Sequence, residues 1–168
     1  MSETQVVIRR LGDDDVEQYR DVRLESLQFE PEAFPTRYDE ASAEELGYFQ
    51  GLLRKNIVMG LFEDEELIGV AAYGKREDRP KMAHTGRIWG IYIKPKARGK
   101  GYGKQILSET LNHVPAGIER VYMSVIARES DPTDALYEKL GFETYGRRPK
   151  SLKDNDTYYD QVLMVKEL

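Results

Sequence analysis

Gly99, Gly101 and Gly103 occupy alternate positions in PKARGKGYGKQIL, residues 95–107, with Lys96, Arg98, Lys100 and Lys104 threaded among them. Glycines without Cβ atoms let a backbone approach a ligand closely and present successive N–H groups as an anion nest. An apolar helical pattern, Ile106, Leu107, Thr110 and Leu111, follows at once. The stretch therefore opens a helix, where free N–H groups and the dipole favour negative charge. Between His84 and Ser108 there are six Lys and Arg and no Asp or Glu, which predicts a local positive field. The chemistry expected of this junction is phosphate or pyrophosphate binding. A solvated basic turn would share the local pattern.

Two familiar phosphate motifs do not fit. A Walker A loop needs Gly five residues before its Gly-Lys pair, where Arg98 stands, and Ser or Thr where Gln105 stands. A Rossmann fingerprint would need Gly or Ala at Lys104 or at Ile106, depending on the frame.

The elements around this junction follow from periodicity and punctuation. Gln5 to Arg10 reads as a strand. Asp13 to Asp15 cap a helix carrying Val16, Tyr19, Leu24 and Leu27, and residues 31–38, PEAFPTRY, read as a loop. Ser42 to Arg54 reads as a second helix, with Ser42 and Glu45 as a capping box. Ile57–Phe62 and Leu67–Tyr73 form a hairpin through the acidic turn at 63–66. Residues 75–83 are a charged loop. Arg87 to Lys94, RIWGIYIK, is a strand feeding the glycines. Val121 to Ala127 is a strand. Asp131 caps a helix with Pro132 at its first position and Gly141 just past its end. Phe142–Arg147 and Tyr158–Val165 are the last strands. This order predicts a mixed α/β (α+β) sheet with helices on its faces, in one domain spanning residues 1–168.

The rest of the sequence narrows the class. A chain of 168 residues with net charge −5, 40% hydrophobic and 33% charged, is ordinary globular composition and not a general nucleic-acid footprint. It has no cysteine, so disulfides and thiolate metal sites are excluded; its two histidines, His84 and His113, lack metal-motif spacing. Residues 154–165 begin like a calcium loop but lack its central Gly and place Val165 where the last Glu belongs. With no signal-peptide core and no apolar run of about 20 residues, the expectation is a cytoplasmic protein without metal, membrane or nucleic-acid partners.

Two segments together, R-G-K-G-Y-G at 98–103 and L-Y-E-K-L-G-F at 136–142, resemble the GNAT superfamily of N-acetyltransferases. The first matches its acetyl-CoA signature, the second its later helix motif, and the element order is similar over most of the chain. The resemblance implies the acyl-CoA N-acyltransferase fold, a central, mostly antiparallel twisted sheet flanked by helices. It implies direct transfer from acetyl-CoA to a primary amine of a small molecule, protein or peptide; homodimers are common in the family. Ile91 and Ile93 would offer backbone groups to the pantetheine arm, and the pyrophosphate would sit on the loop Arg98, Gly99, Lys100, Gly101, Tyr102, Gly103 and Lys104. Arg98 and Lys100 are the side chains expected nearest the phosphates. Ser130 stands where the family often has an Asn contacting the cofactor arm.

Acetyl transfer to an amine needs a neutral nucleophile, carbonyl polarisation and an acid for the departing thiolate. Tyr137 matches the family's acid; a phenol is protonated at neutral pH and can donate to sulfur. A packing tyrosine with a satisfied hydroxyl is the plainer role. Some relatives carry a basic carboxylate on the strand before the glycines, where this chain has Trp89 and Gly90. Glu25, Glu30 or a water chain remain as bases. An acyl-CoA-binding sensor without turnover is the rival function, and a nucleic-acid module using residues 87–104 a further one.

Overall fold

A computed structural model of the protein describes residues 3–76, 78–128 and 132–168. Seven strands form one sheet in the order β1-β2-β3-β4-β5-β7-β6. They are β1 (Val6–Arg10), β2 (Ile57–Glu63), β3 (Glu66–Lys75), β4 (Thr85–Ile93), β5 (Arg120–Ile126), β6 (Glu143–Asp154) and β7 (Thr157–Glu167). Every neighbouring pair is antiparallel except β4 and β5, which are parallel. The helices are α1 (Val16–Phe29), α2 (Tyr38–Ser42), α3 (Leu46–Lys55), α4 (Tyr102–Asn112) and α5 (Pro132–Lys139). None of the described helices is long and apolar enough to cross a membrane.

The central strands β2 and β3 read as nearly continuous apolar runs because both of their faces are covered. Val58, Phe62, Leu67 and Val70 pack with Tyr19 and Val22 of α1 and Phe49 and Leu53 of α3. Their chain neighbours Met59, Leu61, Ile68 and Ala71 pack on the other face with Ile106 of α4. Leu107 of α4 and Tyr137 of α5 join Ile88, Val121, Met123 and Met164 in a third cluster. The predicted apolar face of α4 is thus the face it buries, with Ile106, Leu107 and Thr110 fully enclosed.

Two boundaries differ from the sequence expectation. The helix expected over Ser42–Arg54 is two helices with a break at residues 43–45. Ser42 is the last residue of α2, and its Oγ donates back to the Asp39 carbonyl at 3.4 Å. A serine engaged in this local bond does not cap the following turn. Helical structure instead starts at Tyr38, where the Glu40 carboxylate accepts the Arg37 N–H at 2.9 Å. The last hairpin is also longer than expected. Residues 148–154 carry no strand periodicity, yet they extend β6 because β7 pairs with Leu152, Lys153 and Asp154. An irregularity within β6 places Lys150 at φ 49°, and Asp160 accepts its N–H at 2.7 Å. The polar stretch once compared with a calcium loop supplies the turn, with Asn155 at φ 54°. Gly141, at φ 93°, ends α5 as its sequence predicted. The expected Asp131 cap lies outside the described residues.

Candidate active site

The parallel pair β4 and β5 is bonded only at its start, through Thr85–Arg120, Gly86–Val121 and Arg87–Tyr122. Beyond Arg87 the two strands part. From Ile88 onward the β5-facing edge of β4 has no strand paired with it among the described residues, and a cleft of about 1120 Å³ opens there. It is lined by Ile88–Ile93 of β4, Met123–Ile126 of β5, the glycine loop, and Leu136 and Tyr137 of α5. Inside β4, Gly90 and Ile91 stand opposite the single residue Ala71, a β-bulge with Gly90 at φ 63°. A bulge bends a strand and re-aims its side chains, here at the point where the sheet divides.

The glycine loop leaves β4 through a short 3₁₀ turn, Pro95–Ala97, and enters α4 at Tyr102. Gly99 and Gly101 adopt φ 80° and 79°, the left-handed region that side chains disfavour. A Cβ built on either would have no atom within 4 Å, so these two glycines are required by backbone conformation, and the space beside them is open. The first bond of the helix runs from the Gln105 N–H to the Gly101 carbonyl at 3.2 Å. The N–H groups of residues 99–104 have no backbone acceptor among the described residues. This concave set of free donors at the start of an 11-residue helix fits a pyrophosphate.

The positive field expected here is largely cancelled by folding. Lys94 lies 3.7 Å from Glu25 and 3.6 Å from Glu66. Lys96 pairs with Glu66 at 2.6 Å and Lys100 with Glu63 at 3.6 Å. Arg98 donates Nε to the Ile93 carbonyl at 2.9 Å and Nη2 to Glu30 at 2.8 Å. Its side chain braces the loop against the end of β4 and the end of α1. Tyr102 donates to Glu63 at 3.1 Å, which ties the loop to β2 as well. Of the six basic residues, Arg87 and Lys104 carry no ion pair among the described residues. An anion at this loop would therefore meet free backbone donors more than free side-chain charge.

Tyr137 is buried, with its ring edge-on to Phe142 at 6.4 Å between centroids, and it lines the cleft. Ile91, in the bulge, and Ile93, between it and the loop, both lie on the open stretch of β4. Ser130 lies outside the described residues. The two candidate bases separate. Glu30 lines the cleft, bound to Arg98. Glu25 is engaged elsewhere: its carboxylate accepts the Tyr92 hydroxyl at 2.8 Å. Burial, and then that bond, push the Tyr92 phenol far above its ordinary value, so it stays protonated.

One residue of the cleft had no signal in the sequence. Arg23 of α1 is 8% exposed and faces the bulge, its guanidinium carbon 5.0 Å from the Phe34 ring and 5.6 Å from the Trp89 ring. It sits among the apolar positions of its helix, where an arginine pattern alone reads as surface.

The sequence profile described as the Acetyltransferase (GNAT) family matches residues 18–142. The spermine/spermidine N(1)-acetyltransferase of Bacillus subtilis is 27% identical over 114 residues, covering 66% of this chain and 69% of its own. An L-methionine sulfoximine/L-methionine sulfone acetyltransferase of Pseudomonas aeruginosa is 30% identical over 86 residues, 51% of this chain and 49% of that one. Among solved structures, a GNAT-family acetyltransferase from Streptococcus pneumoniae superimposes with a TM-score of 0.84 at 19% identity, covering 98% of this chain and 100% of its own. The yncA protein of Salmonella typhimurium, solved with its cofactor acetyl-CoA, gives 0.81 at 18% identity, covering 98% and 94%. A profile match running from α1 to the residue after Gly141, on a fold shared end to end with solved acetyltransferases, makes this chain a member of the GNAT acetyltransferase family.

Proposed function

We propose that the chain, acting as one domain over residues 1–168, is a cytoplasmic enzyme that transfers the acetyl group of acetyl-CoA directly to a primary amine. The observation that carries this reading is the joint placement of the free loop N–H groups, the open edge of β4 and Tyr137 around one cleft. Acetyl-CoA supplies the acetyl group as an activated thioester. The N–H groups of Gly99 to Lys104 receive its pyrophosphate, while Arg98 holds their loop in place. Lys104 and Lys100 flank the phosphates. Backbone groups of Ile91 and Ile93 hold the pantetheine arm along β4, and Ser130, standing in sequence where the family often has Asn, is a further candidate contact to it. The amine nitrogen forms the new C–N bond as the C–S bond breaks, and Tyr137 gives its hydroxyl proton to the sulfur. The amine's own proton leaves through Glu30 or water. Without cysteine the chain has no thiol to carry the acetyl group, in keeping with direct transfer.

The acceptors named for the relatives are polyamines and amino-acid analogues, and both classes belong in the test. Coenzyme A release is followed with a thiol reagent against a panel of polyamines, amino acids and peptide N-termini. Release that rises with one amine class well above hydrolysis is expected. A protein that binds coenzyme A but releases thiol with none of them would be a sensor, and the proposed turnover would be wrong.

A further inference from the structure

Two side-chain donors in the cleft are buried without any hydrogen-bond partner among the described residues: Nη1 of Arg23 and Nε1 of Trp89. Both residues line the same cavity. Arg23 Nη1 lies at the bulge, 3.9 Å from where a Cβ on Gly90 would stand, whereas Trp89 Nε1 lies 3.2 Å from where a Cβ on Gly74 would stand. A buried charge is costly unless paired, and a buried donor without an acceptor is costly as well. Glu25 of the same helix and Glu30 just past its end are engaged elsewhere, Glu25 with Tyr92 and Lys94, Glu30 with Arg98. The neighbouring Tyr19 offers no anion, because burial pushes its phenol up to about 12. Burial lowers the pKa of Arg23, yet a guanidinium keeps its proton at neutral pH.

We propose that the acceptor amine also carries a carboxylate, and that Arg23 receives this group at the bulge. The inference rests on the acetyltransferase reading above and names the substrate class of that site. Arg23 is not placed for the phosphates of coenzyme A. The four steps from Gly90 to Lys94 alone span about 13 Å, and the glycine loop lies beyond them. The wider charge of the cleft agrees. Seven lysines and arginines line it with a single acid, Glu30, in a protein whose net charge is −5. Five of the seven, among them Arg23, Arg76, Arg87 and Arg148, have no carboxylate partner among the described residues. Such a lining attracts an amino acid's carboxylate and repels a polyamine, which brings only further positive charge. The flat faces of Phe34 and Trp89 hold the guanidinium in a fixed orientation.

Trp89 is the single tryptophan of the chain and reports on this site directly. The protein is loaded with coenzyme A, and the twenty amino acids, their C-terminal amides and spermidine are titrated in turn. Binding is read by Trp89 fluorescence and by calorimetry, independently of turnover. At least one amino acid should bind about tenfold or more tightly than its own amide, the amount a charge-assisted bond confers. Arg23→Gln should erase that preference while coenzyme A affinity stays within about twofold. If no free acid is preferred over its amide, if spermidine binds best, or if the preference survives in Arg23→Gln, the inference is wrong. The comparison of acid with amide in the wild-type protein stays decisive even if the variant fails to fold. Preferential binding of an acid without thiol release would support the carboxylate site and refute the acetyltransferase reading, so the two failures are distinct.

Discussion

Replacing Gly101 by Ala separates backbone strain from ligand binding. Gly101 is the N-cap of α4 at φ 79°, and a Cβ there would meet no atom within 4 Å. The cost to the free protein is therefore conformational and not steric. A single L-residue held in the left-handed region costs about 1–2 kcal/mol. For a chain of this size that lowers the melting temperature by about 2–8 °C. The cost to binding is separate. The open space into which the Cβ projects is the space proposed for the pyrophosphate, and the N–H groups on either side are its proposed donors. Loss of one hydrogen bond to a charged group is worth about 1.5–3 kcal/mol, or roughly a 10- to 100-fold rise in Kd for coenzyme A. Gly117→Ala is the matched control. It lies in the turn between α4 and β5 at φ 94°, again with nothing within 4 Å, and it does not line the cleft. Calorimetric titration with coenzyme A and thermal melts on both variants complete the comparison. Equal losses of stability are expected, with weakened binding only in Gly101→Ala. A Gly101→Ala protein that binds coenzyme A within threefold of wild type would refute the placement of the phosphates on this loop.

Tyr137→Phe keeps the ring against Phe142 and removes only the oxygen, so single-turnover rates should fall by about 10²- to 10⁴-fold with little change in coenzyme A affinity. Rates within threefold of wild type would return Tyr137 to a packing role. Asp15 is buried, accepts the Gly12 N–H at 2.8 Å and pairs with Arg9 at 2.8 Å; the Arg9 hydrogen bond holds its carboxyl below the usual range. A lowered folded-state pKa means its contribution is complete above the unfolded value near 3.9 and is lost as pH falls. Asp15→Asn should therefore cost about 2 kcal/mol at pH 7, and urea melts should show the difference shrinking below about pH 4. Phe49 is fully enclosed between α1, α3 and the sheet. Phe49→Ala should lower stability by about 3–5 kcal/mol, read by the same melts at pH 7.

Much of the fold was legible because its signals are local. Alternation and turn chemistry marked β1, the β2–β3 hairpin, β4 and β5; α4 showed its apolar face, and Gly141 closed α5. The alternate glycines were legible for the same reason: φ values of 80° and 79° at Gly99 and Gly101 are a backbone demand that only residue type can meet. What needed the tertiary structure were the partners. Ser42 reads as a cap until Arg37 and Glu40 start a helix four residues earlier. Residues 148–154 become strand only because β7 lies beside them. The cations around the glycines look like a positive field until Glu25, Glu30, Glu63 and Glu66 arrive from α1, β2 and β3. Arg98 is thereby a brace as well as a charge. Arg23 is one arginine in a helix until Phe34 and Trp89, eleven and sixty-six positions further along, close around it. Sequence records which groups a segment carries and which local conformations it favours. Which of those groups are neutralised, and which stay buried and unpaired, depends on contacts between distant segments, and in this protein those contacts separate a structural cation from one ready to hold a substrate.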